Sequence, residues 1–448
     1  MSIFKYIHSA SVVNEGRVEN LNILIEGNRI IKISKSELSD FPLDTKVIDA
    51  KGLTLLPGGI DVHVHFREPG LEEKADMKSE SKAALAGGIT SVFEMPNTKP
   101  LTITQKALEE KLEIASQNML CNYGFFFGIT NSNILEAINL PFGMACGLKL
   151  FLGSSTGNML VDDKKVLTEL FEQSPMVISA HCEDEKRVKE LTQKYKEEFG
   201  EEAQTIIHPL VRDSQACYLS SKYAIENTGN KTRLNIAHIT TEKELTLLSS
   251  SPIEEKNITA EVSPSHLWFC DEDYPLLGNK IKCNPAIKTK KDRDALRKAL
   301  REDKIDLIAT DHAPHLLEEK EKPYFSAPSG IPSIQHSMLI MLELVKQGEL
   351  SIEKMVEKMS HNPAQLFSIK DRGFIKEGYF ADLVLVDLNS KTLVDKESLF
   401  YKCKWSPLEG VEFSSRILTT IVNGEIKYAD KKIISETPGY KVEFMSIE

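Results

Sequence analysis

The stretch Pro57-Gly58-Gly59-Ile60-Asp61-Val62-His63-Val64-His65-Phe66-Arg67-Glu68-Pro69-Gly70 decides how this chain is read. Its middle alternates: Ile60, Val62, Val64 and Phe66 are apolar, and Asp61, His63, His65 and Arg67 are polar. A β-strand repeats its side-chain direction every two residues, so both histidines and Arg67 share one face. Pro69-Gly70 ends the strand. Paired imidazoles at a strand end suit zinc and similar ions. An isolated His-x-His also fits two half-buried polar residues on an edge strand. The decision therefore rests on whether other segments supply more ligands.

Outward from this stretch, apolar runs of strand length alternate with charged, amphipathic runs of helix length. The strand candidates are 55–65, 89–95, 121–129, 145–152, 176–182, 233–239, 258–263 and 305–311. Helical patterns at 105–117, 163–173, 184–199 and 293–303 lie between them, and two more follow at 333–348 and 351–367. Strands buried on both faces and separated by helices pair in parallel. Eight such units predict an α/β fold, a closed (β/α)8 TIM barrel; a doubly wound open sheet is the structural alternative. No Gly-x-Gly-x-x-Gly follows the first strand, which weakens a dinucleotide-binding reading.

On either side of this region the period is two. Residues 18–34 form two alternating runs around Glu26-Gly27-Asn28, and Asn423-Gly424 is a second hairpin signal. The expected organisation is a small β-sandwich domain built from residues 1–54 and 371–448, flanking a barrel of residues 55–370. The charged run Glu318–Pro323 reads as a solvated loop.

Composition bounds the partners. The 448 residues carry a net charge of -11, with no basic stripe, so nucleic acid is not expected as a partner. No apolar run is long enough to span a bilayer. Seven scattered cysteines without a Cys-x-x-Cys fit a reduced, cytoplasmic protein. A homodimer is the default oligomer.

In a barrel of this order the C-terminal strand ends share one face, where active sites of the fold are built. His63 and His65 come from the first strand, Lys149 from the fourth, His181 from the fifth, His238 from the sixth and Asp311 from the eighth. Singly, each has an ordinary structural explanation; together they make a metal site. Lys149 lies among Leu148, Leu150 and Phe151, so desolvation favours its neutral amine. A neutral amine adds CO2 to give a carbamate, an anionic ligand able to bridge two metals. Metals in turn acidify a bound water, and Asp311 beside it is placed to carry the proton.

These residues, with Met95-Pro96-Asn97-Thr98, Thr310-Asp311-His312-Ala313-Pro314-His315 and Asn362-Pro363-Ala364, resemble the metal-dependent amidohydrolases, and locally the dihydroorotases. The resemblance covers essentially the whole chain. It implies two Zn2+ ions bridged by N6-carboxylated Lys149 and a hydroxide, with His63 and His65 on one metal and His181 and His238 on the other. Asp311 would be metal ligand and general acid/base. Arg67, Asn97, His315, Asn284, Ser329 and Gly330 stand at substrate-binding positions. The implied reaction is the reversible cyclisation of N-carbamoyl-L-aspartate to dihydroorotate in pyrimidine biosynthesis. Arg67 supports it independently, because a guanidinium recognises a carboxylate through paired hydrogen bonds, and similar allantoinases have a neutral residue there. Many relatives have an aromatic residue where Ser329 stands and paired histidines where Ser265-His266 stands. The rival readings are another cyclic amidase (allantoinase, hydantoinase or dihydropyrimidinase) and a non-catalytic scaffold.

Overall fold

The computed structural model describes residues 4–153, 159–229 and 231–446. Eight short parallel strands form one sheet in sequence order: Gly59–Val64, Ile89–Glu94, Asn122–Gly128, Gly147–Phe151, Ile178–His181, Leu234–Ile236, Ile258–Val262 and Leu307–Ile308. The sheet curls until its first and last members meet. Val64 bridges His312, and the His65 amide donates to the His312 carbonyl at 2.7 Å. This is the expected barrel, with side chains such as Phe93, Phe126 and Leu307 filling its interior.

The segments at 105–117, 163–173 and 184–199 are helical as expected, and the one expected at 293–303 runs Lys290–Arg301; each is started by a side chain that accepts a hydrogen bond from the first turn. Thr104, Asp163, Asp184 and Thr289 are these caps. The pattern at 351–367 is not one continuous helix. It runs Ile352–Val356, widens into a π-helical turn over Glu357–His361, and resumes at Asn362–Leu366, with Pro363 at the restart. There the Asn362 side chain donates to the Asp306 carbonyl at 2.9 Å, just ahead of the eighth barrel strand.

A second, nine-stranded mixed sheet is assembled from both sides of the barrel sequence. Its centre is Thr54–Pro57, parallel to Phe4–Asn14 and antiparallel to Leu383–Asp387. The apolar run at 55–65 is therefore two strands in two sheets, and Gly58 is the corner between them. A Cβ there would lie 2.1 Å from Thr90 Oγ1, so only glycine allows the chain to turn from one sheet to the other at this point. The join is fixed by Asp382. Its side chain accepts from Asn122 Nδ2 at 3.1 Å and the Asn423 amide at 2.7 Å, and pairs with buried Arg372.

The Glu318–Pro323 run is not simply a solvated loop. Leu317–Lys320 is a helical turn, and Lys320 is buried at 2% exposure. No helix among the described residues is long and apolar enough to cross a membrane.

Candidate metal centre and substrate pocket

The C-terminal ends of the barrel strands converge as expected. His65 Nε2 lies 3.1 Å and His63 Nε2 3.4 Å from Asp311 Oδ1, and ligand atoms of these three residues all fall within 4.8 Å of one another. Lys149 Nζ is 3.5 Å from His63 Nε2. His181 Nδ1 and His238 Nε2 face each other at 3.0 Å, and the His63 and His238 rings are 5.3 Å apart. The two histidine pairs are thus neighbouring halves of one buried cluster.

Hydrogen bonds from behind set which ring nitrogen each histidine offers. His63 gives its Nδ1–H to Glu261, leaving the lone pair on Nε2, toward Asp311 and Lys149. His181 gives its Nε2–H to Glu183 at 3.0 Å, leaving the lone pair on Nδ1, toward His238. Carboxylates that fix ring tautomers in this way are a recurring part of metal sites. Glu261 also accepts from Asn235 Nδ2 at 2.9 Å, and Glu183 pairs with Arg212. Neither glutamate stood out in the sequence. The available signal was a lone carboxylate inside an apolar strand, Thr259-Ala260-Glu261-Val262.

Burial pushes the imidazole of His65 down to about 3 and those of His181 and His238 below the histidine range, so they are neutral donors at neutral pH. Burial opposes charge on Asp311 too, but the contacts with His63 and His65 outweigh it and hold the carboxyl below its ordinary range. Lys149 is 1% exposed, with no carboxylate at ion-pair distance among the described residues, and burial lowers its pKa. Neutral imidazoles, an ionised carboxylate and an unpaired buried amine form a donor set that fits zinc-type ions.

The backbone carries strain here. His238 (φ 38°), Asp311 (φ 48°) and Arg67 (φ 71°) all occupy the left-handed region, which is unfavourable for side chains of this size. Asp61, whose role the sequence left open, braces the most important of them. It accepts from both the amide and the hydroxyl of Thr310, the residue before Asp311.

Beside the cluster, Arg67 is buried and donates its Nε–H to the Pro314 carbonyl at 3.1 Å. Its Nη2 lies 3.2 Å from His315 Nε2. Lys74 Nζ lies 3.2 Å and Glu319 Oε2 3.6 Å from His315 Nδ1, while His315 Nε2 is 3.0 Å from the Ser329 carbonyl. No carboxylate pairs with the guanidinium among the described residues. Gly330 (φ 147°) passes directly over this ring. A Cβ there would meet the Ala313 carbonyl at 2.3 Å and His315 at about 3 Å. Asn97 is buried just beyond the second strand, and Asn284 is half-buried with Oδ1 lacking a hydrogen-bond partner among the described residues. Arg67, His315 and the Ser329–Gly330 turn thus form a connected group; for Asn97 and Asn284 the structure gives burial and position at the same end of the barrel.

A barrel with histidines, a lysine and an aspartate on its C-terminal strand ends defines a metal-dependent hydrolase architecture. The sequence matches the amidohydrolase family over residues 54–427, and the chain belongs to that family. Among curated proteins it is similar to dihydroorotases. That of Pyrococcus furiosus is 34% identical over 415 residues, covering 92% of this chain and 90% of the relative. That of Clostridium acetobutylicum is 34% identical over 445 residues, covering 95% and 98%. Among solved structures, the L-hydantoinase (dihydropyrimidinase) of Arthrobacter aurescens superposes with a TM-score of 0.93 at 26% identity, covering 99% of this chain and all of that one.

Proposed function

We propose that this chain is a zinc-dependent dihydroorotase, interconverting N-carbamoyl-L-aspartate and dihydroorotate with loss or gain of water. The observation that carries the reading is Arg67, a buried guanidinium with no paired carboxylate among the described residues, beside the donor cluster. A cyclic ureide bearing a carboxylate satisfies it; a neutral hydantoin or dihydropyrimidine leaves a buried charge unpaired, which is costly. The high similarity of curated dihydroorotases over most of the chain agrees with this.

His63, His65, His181, His238, Asp311 and a carboxylated Lys149 would hold two zinc ions. When bound, these ions polarise the reacting carbonyl and make water acidic enough to act near neutral pH. The chain supplies the rest. Arg67 holds the substrate carboxylate through its terminal N–H groups. His315, Asn97, Asn284 and the Ser329–Gly330 backbone orient the ring. Asp311, ionised in the resting site, takes a proton in the hydrolytic direction and delivers it to the ring nitrogen that leaves the carbonyl; ring closure reverses the transfer.

The test is dihydroorotate hydrolysis and carbamoyl-aspartate cyclisation with metal quantified on the same sample. Turnover in both directions with about two zinc ions per chain is expected. Turnover of hydantoin or dihydropyrimidines but not dihydroorotate would replace this reading with the cyclic amidase suggested by the structural similarity. A protein with no metal and no turnover would be a scaffold.

A further inference from the structure

Four of the buried lysines among the described residues have a carboxylate partner: Lys111 pairs with Glu94, Lys256 with Asp306, Lys358 with Asp303 and Lys427 with Glu425. Among the described residues Lys5, Lys149, Lys282, Lys288 and Lys320 have none, and of these Lys282 and Lys320 sit behind the Ser329–Gly330 turn. Lys320 donates to the carbonyls of Lys282 (3.0 Å), Pro328 (2.9 Å) and Gly330 (2.9 Å). Lys282 donates to those of Tyr324 and Ala327, both at 2.6 Å, with its ammonium 4.4 Å from the Tyr324 ring centre. Three carbonyls satisfy the three donors of an ammonium in full but leave its charge uncompensated.

These contacts connect directly to Arg67. Lys320 clamps the carbonyls on either side of Ser329. The Ser329 carbonyl lies 3.0 Å from His315 Nε2, and His315 contacts Arg67. The Gly330 amide donates to the Lys282 carbonyl at 2.8 Å, two residues before Asn284. Three cations without carboxylate partners among the described residues thus gather at one side of the pocket, in a chain of net charge -11. Burial holds Lys282 down to about 8 and Lys320 to about 7. Lys282 and Arg67 also disfavour the charge on Lys320. An anion bound against Arg67 relieves that repulsion.

We propose that Lys320 and Lys282 are positioning residues that set substrate charge. They fix the Ser329–Gly330 and Asn284 segments, and they add to Arg67 a positive field that selects a carboxylate-bearing ring over its neutral counterpart. The proposal rests on the dihydroorotase reading above and adds to it two residues that do not themselves touch the substrate.

Steady-state kinetics with dihydroorotate and with its uncharged carboxamide, on the full-length zinc-loaded protein, test it. The wild-type ratio of kcat/KM for acid over amide is compared with those of K320M, K320R and K282M, alongside melting temperature and zinc content. K320M and K282M are expected to narrow the ratio by about tenfold, mostly through KM for the acid, because a uniform binding contribution is lost. K320R retains most of it. A K320M that fails to fold leaves K282M, with K320R as the charge-retaining control, to decide the matter. An unchanged ratio in the folded methionine variants overturns the proposal. Wild-type protein that turns over only neutral rings overturns the dihydroorotase reading instead.

Discussion

Asp61 accepts two hydrogen bonds from Thr310, one from its amide at 3.0 Å and one from its hydroxyl at 2.6 Å, and so joins the first barrel strand to the last one residue before Asp311. Asp311 sits in a left-handed backbone conformation that its own side chain does not favour. The brace on Thr310 anchors the residue next to it. Replacing Asp61 by alanine strands three buried donors, the amide and hydroxyl of Thr310 and the amide of His63, with a stability cost of about 1–3 kcal/mol for each donor left unsatisfied. It is expected to lower kcat more than it raises KM, since the displaced group is the proposed proton carrier. Asparagine keeps part of the brace and should fall between. Kinetics and urea titration of both variants check the order.

Glu261→Gln replaces the carboxylate that holds the His63 proton on Nδ1 with a neutral amide, a weaker acceptor. Loss of such an outer partner typically costs about 10- to 100-fold in metal affinity or activity. Zinc titration against a competing chelator should show weakened binding while the fold, followed by circular dichroism, persists.

Lys149→Ala removes the group expected to bridge the two metals. The variant should lose zinc and turnover together, and a short carboxylic acid added to the assay should restore part of both. Full zinc content and full rate without the acid would argue against a carboxylated lysine.

Asp311→Asn is isosteric but cannot accept a proton. Loss of a positioned general base typically costs about 10²- to 10⁴-fold. Rate and metal content measured together separate this role from ligation: most of the rate should go while the histidines still retain metal.

Away from the chemistry, Asp382→Ala should destabilise strongly. It leaves buried Arg372 without its partner and frees Asn122 and the Asn423 amide. Breaking a buried pair in this way costs about 3–5 kcal/mol, readable as a lower denaturant midpoint with substrate KM little changed.

Much of this candidate site was legible in the sequence because its proposed metal ligands sit at strand ends, where the period-two pattern stops and a histidine or aspartate stands out against valine and isoleucine. His63, His65, His181, His238 and Asp311 are all of this kind. What escaped depends on contacts between distant segments. Glu261 reaches His63 across 198 positions, and a single glutamate in a strand gives no hint of its partner. Lys320 lies in a run of charges that composition alone assigns to solvent, yet three carbonyls from other segments bury it. The run at 55–65 looked like one strand because hydrophobicity does not record which sheet a strand joins. The corner became visible only through the space that Gly58 leaves for Thr90. The widened turn at Glu357–His361 likewise has no counterpart in the apolar period.

The central position of Thr54–Pro57 in the mixed sheet has a consequence for how the protein is made. One flank of that strand emerges from the ribosome before it, and the other, Leu383–Asp387 and the strands beyond, only after the entire barrel sequence. At roughly 5–20 residues per second, the nascent sheet waits on the order of a minute with an apolar edge uncovered. During that interval Leu55 and Leu56, fully buried in the finished molecule, are open to pairing with a neighbouring chain. Yield of native protein should therefore respond to expression rate and to chaperone supply more than its compact final structure would suggest.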